Sequence, residues 1–255
     1  MKPAMPLISL TDIFTPQLLA AEKDFLLVYK PPRMHSAPKA RSDGGETLLD
    51  WCVMRFPEVA LLPGRKAGEG GLLHRLDYET QGLMLIARNG AGMESLLGQQ
   101  RAGNIIKGYS ALVVESEAAL PGFPIAPNAW LSEAKEGSPL KIESAFRPYG
   151  PGRKAVRPLP PAGDKELYTT EILESRPLSE IEQPRCFSLK VKILRGFRHQ
   201  IRCHLAWLGL PILNDSLYGG LSYGNGLLAL RAVSIAFNDP SSGEKREYSI
   251  PALRP

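Results

Sequence analysis

Cysteine is scarce: Cys52, Cys186 and Cys203 are the only three in 255 residues, an odd number with no close spacing. That excludes a disulfide framework and makes a reducing cytoplasm the expected location. No run of 18 apolar residues occurs, so no membrane-spanning helix is expected. The segment 1–10, broken by Pro3 and Pro6, lacks the sustained apolar run of a secretory signal. Histidine is sparse as well. His199 and His204 are five apart and no His-Glu-x-x-His occurs, so no zinc site is expected. There is no Gly-x-Ser-x-Gly elbow, which disfavours a serine hydrolase. Gly219, Gly220, Gly224 and Gly226 lack the spacing of a dinucleotide loop or a P-loop and read as a turn.

Glycine (24) and proline (23) are abundant, together about 18% of the chain, against an average of about 12%. Many turns follow, and a helical bundle or coiled coil is disfavoured. The hydrophobic (44%) and charged (22%) fractions are ordinary for a folded soluble protein. The length allows one large domain or two small ones. No composition shift marks a second domain, so an N-terminal arm (1–20) and a single domain (21–255) are expected. The net charge of +5 is less informative than its distribution. Residues 183–214 hold six cations (Arg185, Lys190, Lys192, Arg195, Arg198, Arg202) and no acid. Such a concentration points to an anionic partner, RNA or DNA; the alternative is a solvated basic strand and helix.

Periodicity predicts strands at 24–30, 82–88, 107–115, 167–173, 187–193, 227–237 and 246–250, and helices at 46–56, 92–101 and 198–207. Within 187–193 the alternation places Phe187, Leu189, Val191 and Ile193 on one face and Lys190 and Lys192 on the other. The stretches 33–45, 61–71 and 120–140 read as irregular, and 150–164 as a basic Pro/Gly loop. The class is α+β, a central mixed, mainly antiparallel sheet flanked by helices and loops. No uncovered apolar stripe stands out, so a monomer is expected.

Two segments can carry chemistry. In His74-Arg75-Leu76-Asp77-Tyr78-Glu79-Thr80-Gln81-Gly82, Asp77 is either a turn-capping residue or a nucleophile or base. In 195–204, Arg198 and Arg202 would share a helix face. So cationic a cluster needs an anion, either phosphate or a buried carboxylate such as Asp77, unless it is simply a surface helix.

His74-Arg75-Leu76-Asp77 with Thr80 and Gly82-Leu83 resembles the signature of the RluA family of pseudouridine synthases. Lys107-Gly108-Tyr109-Ser110-Ala111 resembles the family's Lys-x-Tyr-x-Ala motif. His199-Gln200-Ile201-Arg202-x-His204-Leu205-Ala206, then Gly209-x-Pro211-Ile212 and Asp215-x-x-Tyr218-Gly219, is similar to its third motif. The flanking strands Asp24-Phe25-Leu26-Leu27-Val28-x-Lys30-Pro31 and Leu228-Ala229-Leu230-x-Ala232 also match, in family order from about residue 20 to 250. The chain departs from the family where Phe197-Arg198 replaces Arg-Thr, where Gln81 replaces Ser and where Asn214 replaces Gly.

The resemblance implies an RNA isomerase that converts uridine to pseudouridine without cofactor, metal or energy source. By it Asp77 is the essential carboxylate, Arg202 its ion-pair partner and Tyr109 the active-site tyrosine. Ile201 would line the uracil pocket. Arg75 would occupy the gap left by a flipped base, and His74 would be structural or chemical. Lys190, Lys192, Arg195, Arg198, Arg153, Lys154 and Arg157 would meet phosphates, with the loop 150–164 closing over RNA. About 20 residues precede the first matched strand, too few for the S4-type RNA-binding domain of many relatives. A catalytic domain alone, acting on a stem-loop of tRNA or rRNA, is therefore expected. Two other readings stay open: a non-catalytic RNA-binding protein on the same fold, and a carboxylate hydrolase with Glu79 as the second acid.

Overall fold

A computed structural model describes residues 8–38, 46–64, 66–118, 120–125, 139–161, 163–178 and 185–254. The expected arm before residue 8 and most of the irregular stretch 120–140 lie outside the described residues. In chain order the elements are strands β1 (Gln17–Ala21) and β2 (Phe25–Lys30), helix α1 (Leu48–Val53), β3 (Gln81–Ala87), helix α2 (Gly90–Arg101) and β4 (Ile106–Val114). They continue with β5 (Leu140–Tyr149), β6 (Ala155–Leu159), β7 (Tyr168–Pro177), β8 (Cys186–Ile193), helix α3 (Gln200–Trp207), β9 (Leu230–Asn238) and β10 (Lys245–Ser249). The class is α+β, with one parallel strand pair described and the other described registers antiparallel.

The chain divides into two compact units, one of residues up to Lys107 with Arg231–Ala252, the other of Gly108–Leu230 with the chain end from Leu253. In the first, β1 pairs β2, β2 pairs β3, β3 pairs β9 in parallel, and β10 adds to β9. Strand β2 is buried along its whole length, as is β3. Phe25, Leu27, Leu83, Leu85, Met93, Leu96 and Phe237 share one core, with Phe25 edge-on to Phe237 at 4.9 Å. Helix α1 is shorter than the predicted 46–56. A reciprocal capping box between Thr47 and Asp50 opens it, and its last turn ends before Pro57.

In the second unit the strand order is β4-β8-β7-β5-β6. Strand β8 keeps the predicted alternation, with Leu189, Val191 and Ile193 buried and Lys190 exposed. The basic segment 150–164 is corrected: within it Pro151–Arg153 forms a short 3-10 turn and Ala155–Leu159 forms β6, paired antiparallel to β5. Prolines hid this strand. β6 lies at the sheet edge, where proline is tolerated because one side of the strand needs no donor. Ala155 and Val156 join the core with Cys203, Ala206 and Tyr218, so this segment is no free lid. Helix α3 is corrected too. It begins at Gln200, after His199 in a left-handed conformation (φ 56°), so Arg198 is not helical. All eight of its residues are buried, so it is not a surface helix.

Candidate active site

In the first unit, Asp77 sits on a turn between the isolated bridge Leu72–Ile86 and β3. The turn closes by Thr80 N–H donating to the Asp77 carbonyl at 3.1 Å. Its backbone is held from below. Ser36 Oγ donates to the Leu76 carbonyl (2.9 Å) and accepts from Leu76 N–H (3.1 Å). The fully buried Lys30 ammonium donates to the carbonyls of Pro31, Met34 and Tyr78 at 2.8, 2.8 and 3.3 Å. Burial pushes Lys30 down to about 7, against the pull of the Asp77 and Glu79 carboxylates. His74 accepts the Leu85 backbone N–H through Nε2 (3.2 Å), which fixes it as a brace of β3. Arg75 is exposed and 3.2 Å from Glu69, while Glu79 lies 3.9 Å from Arg33. The backbone of the turn that carries Asp77 is thus fixed on the sheet.

Gln81, one of the departures from the family pattern, has a structural account. Its Oε1 accepts from Tyr29 OH (2.7 Å) and from Arg231 Nε and Nη2 (3.2 and 2.9 Å). Arg231 also donates to the Pro251 carbonyl at 3.1 Å. The amide thus serves a buried guanidinium where serine would fall short. Desolvation pushes Arg231 down and Tyr29 up to about 12. The next residue must be glycine: Gly82 has φ +129°, and a Cβ there would meet the Ala232 carbonyl oxygen at 2.3 Å. Gln81→Leu is expected to cost about 2–4 kcal/mol, because it takes the acceptor from two N–H groups of the buried Arg231 guanidinium, while Tyr29 OH keeps the Ile13 carbonyl. Adding Arg231→Leu recovers most of that loss. Urea unfolding checks it, and a single-variant loss under about 0.5 kcal/mol contradicts it.

In the second unit, α3 presents Arg202 to Asp215 as a two-pronged fork, Nε to Oδ2 and Nη2 to Oδ1, both 2.7 Å. Both side chains are buried. Asp215 is itself fixed by Leu217 N–H (3.2 Å) and closes a tight turn through Gly220 N–H (2.8 Å). The Tyr218 ring lies 5.4 Å from the guanidinium. Its hydroxyl accepts from Val156 N–H, donates to the Val156 carbonyl and lies 3.2 Å from His199 Nδ1. Asn214, another departure, takes a left-handed φ of 65°, which suits glycine and is tolerated by asparagine. Its side chain ties the turn through Tyr223 and the Leu227 carbonyl. Tyr109 on β4 and Ile201 on α3 are both buried.

Two further side chains pin α3. Gln200 donates to the Thr169 carbonyl and to Thr170 Oγ1. His204, fully buried, has Ser144 Oγ and Thr170 Oγ1 each 2.8 Å from its ring nitrogens. Burial lowers its pKa to about 3. The unfolded chain takes up this proton near pH 6.5 while the folded protein refuses it, so stability falls as pH drops from about 6.5 toward 3. His204→Gln is expected to flatten that decline by up to about 1.4 kcal/mol per pH unit. Parallel stability–pH curves for the two proteins contradict it.

Several cations expected on phosphates already have acidic neighbours. The β7–β8 register sets Glu171 opposite Lys192 and Glu174 opposite Lys190, with ion pairs at 2.6 and 3.3 Å. Arg195 pairs Glu166, and Arg185 pairs Glu115 at 3.1 Å. Arg198 turns to the chain instead, donating to the Arg153 and Ala155 carbonyls at 2.7 and 2.9 Å. Arg157 donates to the Gly122 carbonyl. Arg153 and Lys154 are exposed. Sequence reasoning overlooked these acids because all four lie outside the basic window, Glu171 and Glu174 on the neighbouring strand β7. It also gave no role to Lys30, Gln81, Asn214 or Asp215; motif spacing was the available signal, and only for Lys30 and Asp215.

Among the described residues no group of His, Cys, Asp and Glu is arranged to hold a metal ion, and no helix is long and apolar enough to cross a membrane. The family described as RNA pseudouridylate synthase matches residues 24–207. A protein of Chloroflexus aurantiacus named "Uncharacterized RNA pseudouridine synthase" is 32% identical over 80% of this chain and 56% of its own length. The "Ribosomal large subunit pseudouridine synthase D" of Vibrio parahaemolyticus is 25% identical over 90% of this chain and 65% of its own length. The chain thus spans less than two thirds of either relative. The solved structure of human RNA Pseudouridylate Synthase Domain Containing 1 shares the fold, with a TM-score of 0.62 at 23% identity, covering 98% of this chain and 86% of that one.

Proposed function

This chain belongs to the RNA pseudouridylate synthase family, and from that premise we propose that it isomerises uridine in structured RNA to pseudouridine, with Asp77 as the essential carboxylate. The observation that carries the reading is the family match over 24–207, which encloses the anchored Asp77 turn, Tyr109 and the forked Arg202. In the reaction the N1–C1′ bond breaks and a C5–C1′ bond forms. The C5 proton leaves to solvent and N1 takes up a proton, so the RNA keeps its mass. The base must leave its stack first, at a cost of a few kcal/mol. Arg75, exposed beside the Asp77 turn, is suited to fill the gap. Tyr109 supplies an aromatic face and a hydroxyl for the base, Ile201 an apolar wall, and Arg202 the guanidinium that favours an ionised carboxylate. Arg153 and Lys154 are exposed and available to phosphate, while Lys190, Lys192 and Arg195 have acidic neighbours to leave first. The name of the Vibrio relative brings large-subunit ribosomal RNA forward as the substrate class.

The test is RNA carrying 5-tritiated uridine. Release of tritium to water without free uracil is the expected result. Free uracil among the products, or no release from any cellular RNA, overturns the reading.

A further inference from the structure

Tyr78, directly after Asp77, is 42% exposed. Its surroundings are otherwise tightly held. The Lys30 ammonium gathers the carbonyls of Pro31, Met34 and Tyr78, and Ser36 binds Leu76 reciprocally, so the segments 31–36 and 76–78 form one fixed surface. On that surface the Tyr78 ring packs on the half-buried His35 ring, with centroids 4.6 Å apart and planes at 39°. Two exposed guanidinium groups adjoin this surface: Arg33, within 31–36 and held at φ 58°, and Arg75, directly before 76–78. Arg33 lies 3.9 Å from Glu79 in a surface ion pair, which is weak and yields readily to phosphate, whereas Arg75 lies 3.2 Å from the buried Glu69.

An exposed aromatic pair on a rigid backbone, with arginines beside it, matches the physics of single-stranded RNA binding: rings stack on bases and cations meet the backbone. Tyrosine loses little conformational freedom in such a contact. Its outer face, beyond the contact with His35, is open to a flat ligand. We infer that Tyr78, backed by His35, is a stacking platform for an unpaired nucleobase neighbouring the uridine that reacts, with Arg33 on a flanking phosphate. The inference deepens the proposed function and rests on it for the nature of the substrate. It makes Tyr78 a determinant of which RNA loops are accepted, because the platform is filled only where a second base beside the target is unstacked.

The experiment compares the wild type, Tyr78→Ala and Tyr78→Phe on total RNA from cells lacking this protein, by RNA affinity and by pseudouridine formation at low and saturating RNA. Losing one stacked base weakens binding about 5- to 100-fold. Tyr78→Ala is therefore expected to lose affinity and raise KM by that factor with kcat within about threefold, while Tyr78→Phe stays within about twofold of wild type in both. Melting should stay at the wild-type value in Tyr78→Phe and fall only slightly in Tyr78→Ala, which loses the contact with the His35 ring. Wild-type affinity in Tyr78→Ala, or equal losses in Tyr78→Phe, overturns the platform. If the wild type itself forms no pseudouridine, the proposed function falls, and the affinity comparison still decides whether Tyr78 stacks on RNA.

Discussion

Asp77→Asn is expected to fold, to bind RNA and to lose pseudouridine formation by roughly 10²–10⁴-fold or more. The substitution keeps size and shape. The backbone of the turn is held through the Asp77 carbonyl, Leu76 and the carbonyl of Tyr78. Every route to detaching a uracil through this residue, whether attack on the sugar, addition to the ring or assistance of elimination, needs an anionic oxygen that an amide does not supply. Unchanged melting and unchanged RNA affinity with activity gone is the expected pattern. Activity within tenfold of wild type removes Asp77 from the chemistry, and a collapsed melting temperature makes it a structural residue.

The second large effect lies at Asp215. Its carboxylate is fully buried and carries both prongs of the Arg202 fork. A surface ion pair of this kind would be worth under about 1 kcal/mol. Here removal of the acid leaves a guanidinium out of water without its fork partner, which costs about 3–5 kcal/mol. Asp215→Ala is therefore expected to lose that much stability in urea unfolding, and to lose activity with it because Arg202 is no longer oriented. Exchanging both partners, Asp215→Leu with Arg202→Met, restores much of the stability and none of the activity. A loss under about 1 kcal/mol for Asp215→Ala contradicts this account. So does an active double variant.

The departures from the family pattern show where reading the sequence succeeded and where it ran out. The strands around Leu27, Leu85 and Val191 and the helix after His199 were visible because apolar periodicity is local. The turn bearing Asp77 was visible because its residues are contiguous. What failed depended on partners distant in the chain. Gln81 makes sense only beside Arg231, 150 residues later. Lys190 and Lys192 read as free cations until register set Glu174 and Glu171 across from them. Arg198 read as a helix residue because the left-handed turn at His199 carries no distinctive residue type. Strand β6 was lost under Pro158, which a central strand would reject and an edge strand accepts. Strand β1, with half-exposed Leu18 and Leu19 and a register shift between Leu18 and Ala20, has too weak an alternation to be recognised locally.

The central claim, that this protein makes pseudouridine in RNA through Asp77, is tested most directly by mapping pseudouridine at single-nucleotide resolution across total RNA. Cells lacking the protein are compared with cells given back either the wild type or Asp77→Asn. The account predicts discrete uridines that become pseudouridine with the wild type alone. Identical maps in all three, or sites restored equally by Asp77→Asn, would contradict it.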